Sequence, residues 1–197
     1  MIDRGRSLPL VEMKLYVMRH GPAEDQSGSG LDGDRALTAS GRERVRAVAK
    51  LLVELGEAPL AVITSPLVRA VQTAEIVALV TQLGQGKGSV EVRREMSPSG
   101  HTSALVDTLL AEGRKRVMVV GHEPDLGELV TTLLGKGAFR RAFEKAMVVG
   151  LHVSARSALS TGASHGVEPV ESDRRSRLRF VLDPKALRLD PDERTLA

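Results

Sequence analysis

The sequence predicts an α/β fold built on a largely parallel sheet. Short apolar segments rich in strand-forming residues alternate with amphipathic segments of about 12 to 20 residues, the pattern of repeated β–α units. The chain has 197 residues, of which 42% are hydrophobic and 27% charged, and this length and composition indicate one globular domain. Because the chain contains no cysteine, disulfides, cysteine-ligated zinc and a thiolate nucleophile are all excluded.

The first half of the chain contains two predicted strands, each followed by a predicted helix. The first strand, Lys14–Met18, is a run of strand-forming residues that stops abruptly at a polar segment. Thr38–Gly56 is predicted to be an amphipathic helix, because apolar side chains recur there at helical spacing, at Val45, Val48, Leu52 and Leu55. Leu60–Thr64 is a second apolar strand. Ser65 is expected to cap the next helix, with proline in its first helical position, and that helix is expected to end near Leu83.

The second half continues the same alternation. Val90–Val92 is predicted to be a short edge strand, and the amphipathic segment His101–Glu112 a helix. Arg116–Val120 is a third buried strand, and the helix that follows it is expected to stop at Gly135, a residue type that often ends helices. The last two predicted strands are Met147–Val153 and Leu178–Leu182.

Polar side chains follow three of the buried strands at the point where each strand ends. Arg19 and His20 follow the first, Ser65 follows the second with Arg69 one turn further on, and His122 follows the third. Ligands of open parallel sheets bind beyond the carboxyl ends of the strands, where helix N-termini also favour anions. If the three strands are parallel neighbours, two histidines and two arginines meet there. Since guanidinium groups match phosphate oxygens, the sequence predicts a phosphoryl pocket.

A histidine in such a pocket can act as a nucleophile. If a hydrogen bond fixes the proton on one ring nitrogen, the other keeps a lone pair that can accept a phosphoryl group, and water then hydrolyses the phosphohistidine. The arginines would stabilise the charge on the phosphoryl oxygens. The five histidines show none of the spacings of a metal site, so neither a metal nor another cofactor is indicated.

Several motifs occur in the order found in a known family. The segments 17–21 (VMRHG), 35–41 (RALTASG), 65–74 (SPLVRAVQTA) and 120–124 (VGHEP) resemble the motifs of the histidine phosphatase superfamily, which has the phosphoglycerate-mutase-like fold. The segment 180–184 (FVLDP) resembles the closing strand of its SixA-type phosphohistidine phosphatases. The resemblance implies a three-layer sandwich with a mostly parallel central sheet. It implies a phosphatase domain over residues 13–188, between an N-terminal extension, 1–12, and a C-terminal tail, 189–197.

The resemblance also implies roles for individual residues. His20 would be the phosphorylated nucleophile, and Arg19, Arg69 and His122 would complete the phosphate pocket. Ser65 is a candidate substrate-binding residue there, although it is more simply a helix cap than a nucleophile. Many members carry Glu directly after the RHG motif and Asn four residues later, whereas here Pro, Ala and Glu follow and the chain has no Asn. This departure disfavours the mutase branch and favours the SixA-type pattern.

The motifs do not identify a single residue as the general acid. Glu95 is the first candidate, because the superfamily often places a carboxylate between the second arginine motif and the second histidine motif, and Glu24 and Asp25 stand behind it. A phosphohistidine substrate needs less help from an acid, because its imidazole leaves more easily than an alkoxide. The absence of an obvious acid in the sequence therefore favours a nitrogen–phosphorus substrate.

The function expected from the sequence is removal of phosphoryl groups from a phosphohistidine-containing protein, such as a signalling phosphotransfer domain. The alternatives are a small-molecule phosphomonoesterase using the same site and a non-catalytic phosphoprotein-binding module. Nucleic acid is not expected as a partner, because the net charge is only +3 and aromatic residues make up 2% of the chain. No apolar run reaches the roughly 18 residues that span a bilayer and no signal peptide is evident, so a cytoplasmic protein is expected.

Overall fold

The computed structural model describes residues 10–83, 88–156 and 174–189. Its strands are β1 (Leu10–Arg19), β2 (Ala61–Thr64), β3 (Ser89–Val92), β4 (Arg116–Gly121), β5 (Val148–Arg156), β6 (Arg175–Asp183) and β7 (Arg188–Leu189). Its helices are α1 (Ala39–Glu54), α2 (Val68–Val80), α3 (Thr102–Ala111) and α4 (Asp125–Leu134). None of these helices is both long enough and apolar enough to cross a membrane.

The strands form one sheet in the order β3-β2-β4-β1-β5-β6-β7. The pairs β3–β2, β2–β4 and β4–β1 are parallel, whereas β5, β6 and β7 join the far side of β1 through antiparallel pairs. The predicted parallel sheet is therefore confirmed for its first four strands, including the three that precede the candidate site residues. Their carboxyl ends lie side by side, since Arg19 pairs with Gly121 and Thr64 pairs with Val120.

Helices cover both faces of this sheet and create two hydrophobic cores. Successive side chains of a strand point to opposite faces. Val17 of β1 accordingly packs in the core formed with α3 and α4, while the next residue, Met18, packs in the core formed with α1 and α2. This arrangement confirms the expected three-layer sandwich. Thr38 caps α1 by accepting a hydrogen bond of 2.9 Å from the backbone N–H of Gly41.

The predicted start of the second helix is wrong. Helix α2 begins at Val68 with Leu67 in the cap position, so Ser65 is not its cap. The physical reason is that the backbone N–H of Ser65 still donates to the carbonyl of Val120, at 3.1 Å, and thereby continues the pairing of β2 with β4. The helix also ends at Val80, before the predicted Leu83.

Three strands are longer than the sequence predicts. β1 begins at Leu10 because its antiparallel pairing with β5 continues as far as the pair Leu10–Arg156. β5 and β6 extend in the same way toward the connection between them. The greater part of that connection lies outside the described residues.

A partly buried ion-pair cluster lies on the connection between α1 and β2. The Glu57 carboxylate accepts hydrogen bonds from the Tyr16 hydroxyl at 2.7 Å and from both terminal nitrogens of Arg179 at 2.5 and 2.9 Å. Its side chain is only 14% exposed. Burial raises the pKa of this carboxyl, but the hydrogen bonds from Arg179 and Tyr16 outweigh burial and hold it at about 2. The cluster therefore stabilises the fold through an ionised carboxylate.

Glu57→Gln is expected to lower the free energy of unfolding at pH 7 by about 3 kcal/mol, because it leaves the largely buried Arg179 without its counter-charge. The folded-state pKa of about 2 lies below the ordinary value of 4.5. The contribution of Glu57 is therefore complete above about pH 4.5 and disappears as the pH falls toward 2. Urea unfolding at pH 7 and at pH 3.5 checks both statements, with the exposed Glu54→Gln as control. A difference between wild type and variant that does not shrink at the lower pH would contradict this account.

Candidate active site

The site lies at the carboxyl ends of β1, β2 and β4. The backbone N–H of His20 donates to the carbonyl of Gly121 at 3.2 Å, so the residue after β1 is still attached to β4. The backbone N–H of Gly21 donates to the Thr73 hydroxyl of α2 at 3.1 Å, and a Cβ at Gly21 would lie only 2.7 Å from Val45. The end of β1 is thus held between a neighbouring strand and two helices, which fixes the position of the His20 ring.

The His20 ring is buried and is held as a neutral tautomer. Its Nδ1 lies 2.7 Å from the carbonyl oxygen of Gly21, which can only accept, so Nδ1 carries the ring proton and Nε2 keeps its lone pair. Burial lowers the pKa of His20 to about 3, and the neighbouring charges of His122, Arg69 and Arg19 act in the same direction. At neutral pH the ring is therefore uncharged, with a lone pair on Nε2.

His122 faces His20 across the site, with 5.1 Å between the two ring centroids. Its Nε2 lies 2.9 Å from the hydroxyl oxygen of Ser65. That oxygen also accepts the backbone N–H of Leu67 at 3.3 Å. With the Ser65 hydroxyl donating to Nε2, the ring proton lies on Nδ1. The Nδ1 atom is buried and has no hydrogen-bond partner. Burial, followed by the charge of Arg69, lowers the pKa of His122 to about 4.

Two guanidinium groups complete the site. The Arg69 side chain projects from the first turn of α2 and is only 6% exposed, and its terminal nitrogens donate to the carbonyl and the carboxylate of Asp32 at 2.8 and 3.0 Å. Arg19 donates through Nη1 to the carbonyl of Phe143 at 2.6 Å. Burial lowers the pKa of Arg19, Glu123 opposes that shift, and the charge of Arg69 adds to it. In both side chains, hydrogen bonds from terminal nitrogens fix the position of the guanidinium group.

The buried polar atoms that make no hydrogen bond at this site suit a bound anion. Six buried side-chain nitrogen or oxygen atoms in the described part of the chain have no hydrogen-bond partner, and four of them belong to this site: Arg19 Nε, Arg69 Nε, His122 Nδ1 and Glu123 Oε1. Buried polar atoms rarely stay unpaired in proteins, so these four are available to a ligand, an ion or water. Three of the four are N–H donors, and two carry positive charge, which suits the oxygens of a phosphoryl group.

The structure brings together five of the predicted residues, His20, Arg19, Arg69, His122 and Ser65, and the turn that carries Glu95 packs against the end of β4, where Met96 approaches Gly121. Glu95 lies on a single 3-10 turn, Arg94–Met96, and no hydrogen bond or ion pair connects it to the others. Glu24 is exposed and joins the loop after β1 through its backbone. Asp25 lines a cavity of about 400 Å³ on that same loop, together with Asp32.

Two residues of the site escaped the sequence analysis. Glu123 directly follows His122, and its burial raises the pKa of its carboxyl, which the charge of Arg19 lowers again. Its position next to His122 was the available sequence signal for Glu123, but the start of α4 explains a glutamate before proline there equally well. Asp32 holds Arg69 from a loop of small and acidic residues, where nothing in the spacing distinguishes it from Asp34.

Comparison with known proteins identifies the family. A sequence model of the histidine phosphatase superfamily (branch 1) matches residues 15–94. The chain is 36% identical over 124 residues to phosphohistidine phosphatase SixA of Escherichia coli strain K12, an alignment that covers 61% of this chain and 74% of that protein. The chain belongs to the histidine phosphatase superfamily. A SixA homolog of Haemophilus influenzae is 31% identical over 135 residues, covering 63% of this chain and 79% of the homolog.

Solved structures agree with this membership in the histidine phosphatase superfamily. The protein histidine phosphatase SixA complexed with tungstate superposes with a TM-score of 0.70 and 26% identity, covering 89% of this chain and all of that chain. A SixA protein of Agrobacterium tumefaciens superposes with a TM-score of 0.65 at 19% identity and so shows the fold alone. The protein is a SixA-type phosphatase with the phosphoglycerate-mutase-like fold expected from its motifs.

Proposed function

We propose that this phosphatase removes the phosphoryl group from a phosphohistidine residue of a protein through a covalent intermediate on His20. The observation that carries the proposal is the hydrogen bond from His20 Nδ1 to the carbonyl of Gly21, because it leaves the Nε2 lone pair free in a pocket of unpaired N–H donors. The names of the SixA relatives support the substrate class. Any accessible phosphohistidine of a protein could be the substrate, including that of a signalling phosphotransfer domain.

In the first step His20 Nε2 attacks the phosphorus atom. A P–N bond forms to His20 while the P–N bond to the substrate imidazole breaks. The electron pair of that bond stays on the substrate nitrogen, which takes up a proton from solvent water. Arg19 and Arg69 each direct an Nε–H to the phosphoryl oxygens, and His122 offers Nδ1–H. Charge on these oxygens is what the site has to stabilise during phosphoryl transfer.

In the second step water attacks the phosphorus of phospho-His20. The P–N bond to His20 breaks, inorganic phosphate is released together with one proton from the water, and the Nε2 lone pair is restored. Splitting the hydrolysis in this way replaces one difficult step by two easier ones. The low pKa of His20, about 3, keeps the regenerated ring unprotonated and ready for another cycle.

Among the carboxyl groups, Glu123 is supported as a proton donor better than Glu95. Its raised pKa, caused first by burial, favours the protonated form, and its Oε1 is buried without a partner beside the site. Glu95 makes no hydrogen bond or ion pair that would connect it to the phosphoryl pocket. A donor matters most for ester substrates, whose alkoxide leaving group needs a proton more than imidazole does.

The substrate class is tested by comparing three phosphoryl donors under one set of conditions: a histidine-phosphorylated phosphotransfer protein, a phosphoserine peptide and p-nitrophenyl phosphate. We expect kcat/KM to be highest on the phosphohistidine protein, by about 100-fold or more, which corresponds to about 2.7 kcal/mol of transition-state stabilisation. Preference for the small phosphate ester would instead make the protein a small-molecule phosphomonoesterase. Binding of phosphate without turnover of any donor would make it a phosphoprotein-binding module.

A further inference from the structure

Asp32 contacts the phosphoryl pocket from outside the motifs of the family. It is the first residue of a single 3-10 turn, Asp32–Asp34, in the connection between β1 and α1. Its side chain is 65% exposed, whereas the Arg69 side chain that it contacts is 6% exposed. A buried guanidinium of the site therefore has its counter-charge on a surface loop.

The contact fixes the guanidinium at two points. Nη1 of Arg69 donates to the backbone carbonyl of Asp32 at 2.8 Å, and Nη2 donates to its Oδ2 at 3.0 Å. Both terminal nitrogens are thus engaged by one residue, each through one of its two N–H groups, and the Nε–H is buried without a partner. A planar guanidinium held by its two ends cannot rotate, so the direction of the Nε–H is set by Asp32.

Asp32 is itself held in place. Its other carboxylate oxygen, Oδ1, accepts Arg35 Nε at 2.8 Å and lies 2.7 Å from Arg35 Nη2. Arg35 also donates to the backbone carbonyl of Glu24 at 3.0 Å, which ties the turn to the segment after β1. The hydrogen bond from Arg69 holds the pKa of the Asp32 carboxyl below its ordinary value, so Asp32 is anionic at neutral pH.

We propose that Asp32 is a positioning residue that orients Arg69 so that its Nε–H faces the bound phosphoryl group. The inference rests on the proposed phosphatase site but not on the substrate that the site prefers. The same geometry allows an opposite effect, in which the carboxylate competes with the phosphoryl group for Arg69. The two effects change phosphate affinity in opposite directions and are therefore separable by experiment.

The test compares Asp32→Ala with Asp34→Ala in the full chain. Asp34 lies on the same 3-10 turn and its carboxylate accepts a hydrogen bond from the Ser29 hydroxyl at 2.6 Å rather than from Arg69, so it is a matched control for loss of one acidic side chain. The probe is inorganic phosphate, whose Kd is measured by isothermal titration calorimetry without any turnover. kcat and KM for p-nitrophenyl phosphate and the thermal unfolding midpoint are measured on the same variants.

Asp32→Ala is expected to raise the Kd for phosphate by about 10-fold and to lower kcat for the ester, because a misdirected donor weakens both the bound state and the transition state. Asp34→Ala should leave both unchanged, and Asp32→Asn, which retains an acceptor oxygen, should recover part of the loss. An unchanged Kd, or one that falls in Asp32→Ala, overturns the positioning role. Phosphate binding by wild type without turnover of any substrate would instead count against the proposed function, while the Kd comparison still decides the role of Asp32.

Discussion

His20→Ala is expected to reduce kcat/KM on the phosphohistidine protein by at least about 1,000-fold, or about 4 kcal/mol of transition-state stabilisation. The substitution removes the Nε2 lone pair that attacks phosphorus in the proposed mechanism, and no other side chain described at the site offers an equivalent. The nearest imidazole, His122, has its Nε2 engaged by the Ser65 hydroxyl at 2.9 Å. Loss of covalent chemistry rather than loss of binding is the expected cause, so kcat should fall far more than KM rises.

Two measurements separate the covalent role of His20 from a structural one. Rapid quenching of wild type with a ³²P-labelled phosphohistidine protein should trap a phosphoenzyme that is stable to alkali and labile to acid, and His20→Ala should not form it. Replacement of His101, an exposed histidine at the start of α3, serves as the control and should leave turnover unchanged. An active His20→Ala variant, or a phosphoenzyme labelled at another residue, would refute the covalent step on His20.

The histidines of the site could be predicted from the sequence because their placement depends on local rules. Each directly follows a short apolar strand, and parallel strands bring their carboxyl ends to one edge of a sheet. The register confirms this, with Arg19 beside Gly121 and therefore His20 and His122 beyond adjacent strand ends. The local sequence pattern does not show which strands are neighbours, so the pairing of β1 with β4 had to be assumed.

Contacts made by loops could not be predicted in this way. Ser65 looked like a helix cap because serine before proline is typical of a helix start, yet sheet pairing with β4 extends through its N–H and leaves its hydroxyl to His122. Asp32 reaches Arg69 across a loop whose path follows from tertiary packing rather than from spacing. The Glu57–Arg179 ion pair joins residues far apart in the chain for the same reason.

Arg69→Lys is expected to lower kcat/KM by about 100-fold although it conserves the charge. An ammonium group has three N–H donors, but they diverge from a single nitrogen and cannot reproduce the planar arrangement in which Nη1 and Nη2 reach Asp32 while Nε–H points elsewhere. The side chain is only 6% exposed, so the lost hydrogen bonds leave buried groups of the site without their partner. Both the Kd for inorganic phosphate and kcat should therefore worsen, in contrast to the kcat-dominated loss expected for His20→Ala.

Arg46→Lys, on the exposed face of α1, is the matched control for this exchange and should leave phosphate affinity and turnover unchanged. Thermal unfolding of both variants shows whether any loss comes from the fold instead of the site. If Arg69→Lys binds phosphate as tightly as wild type, charge alone suffices in this pocket and the guanidinium geometry is irrelevant. A 100-fold loss with an unchanged unfolding midpoint would mean that the directed N–H donors of the guanidinium help to hold the phosphoryl group, because lysine supplies the same charge without them.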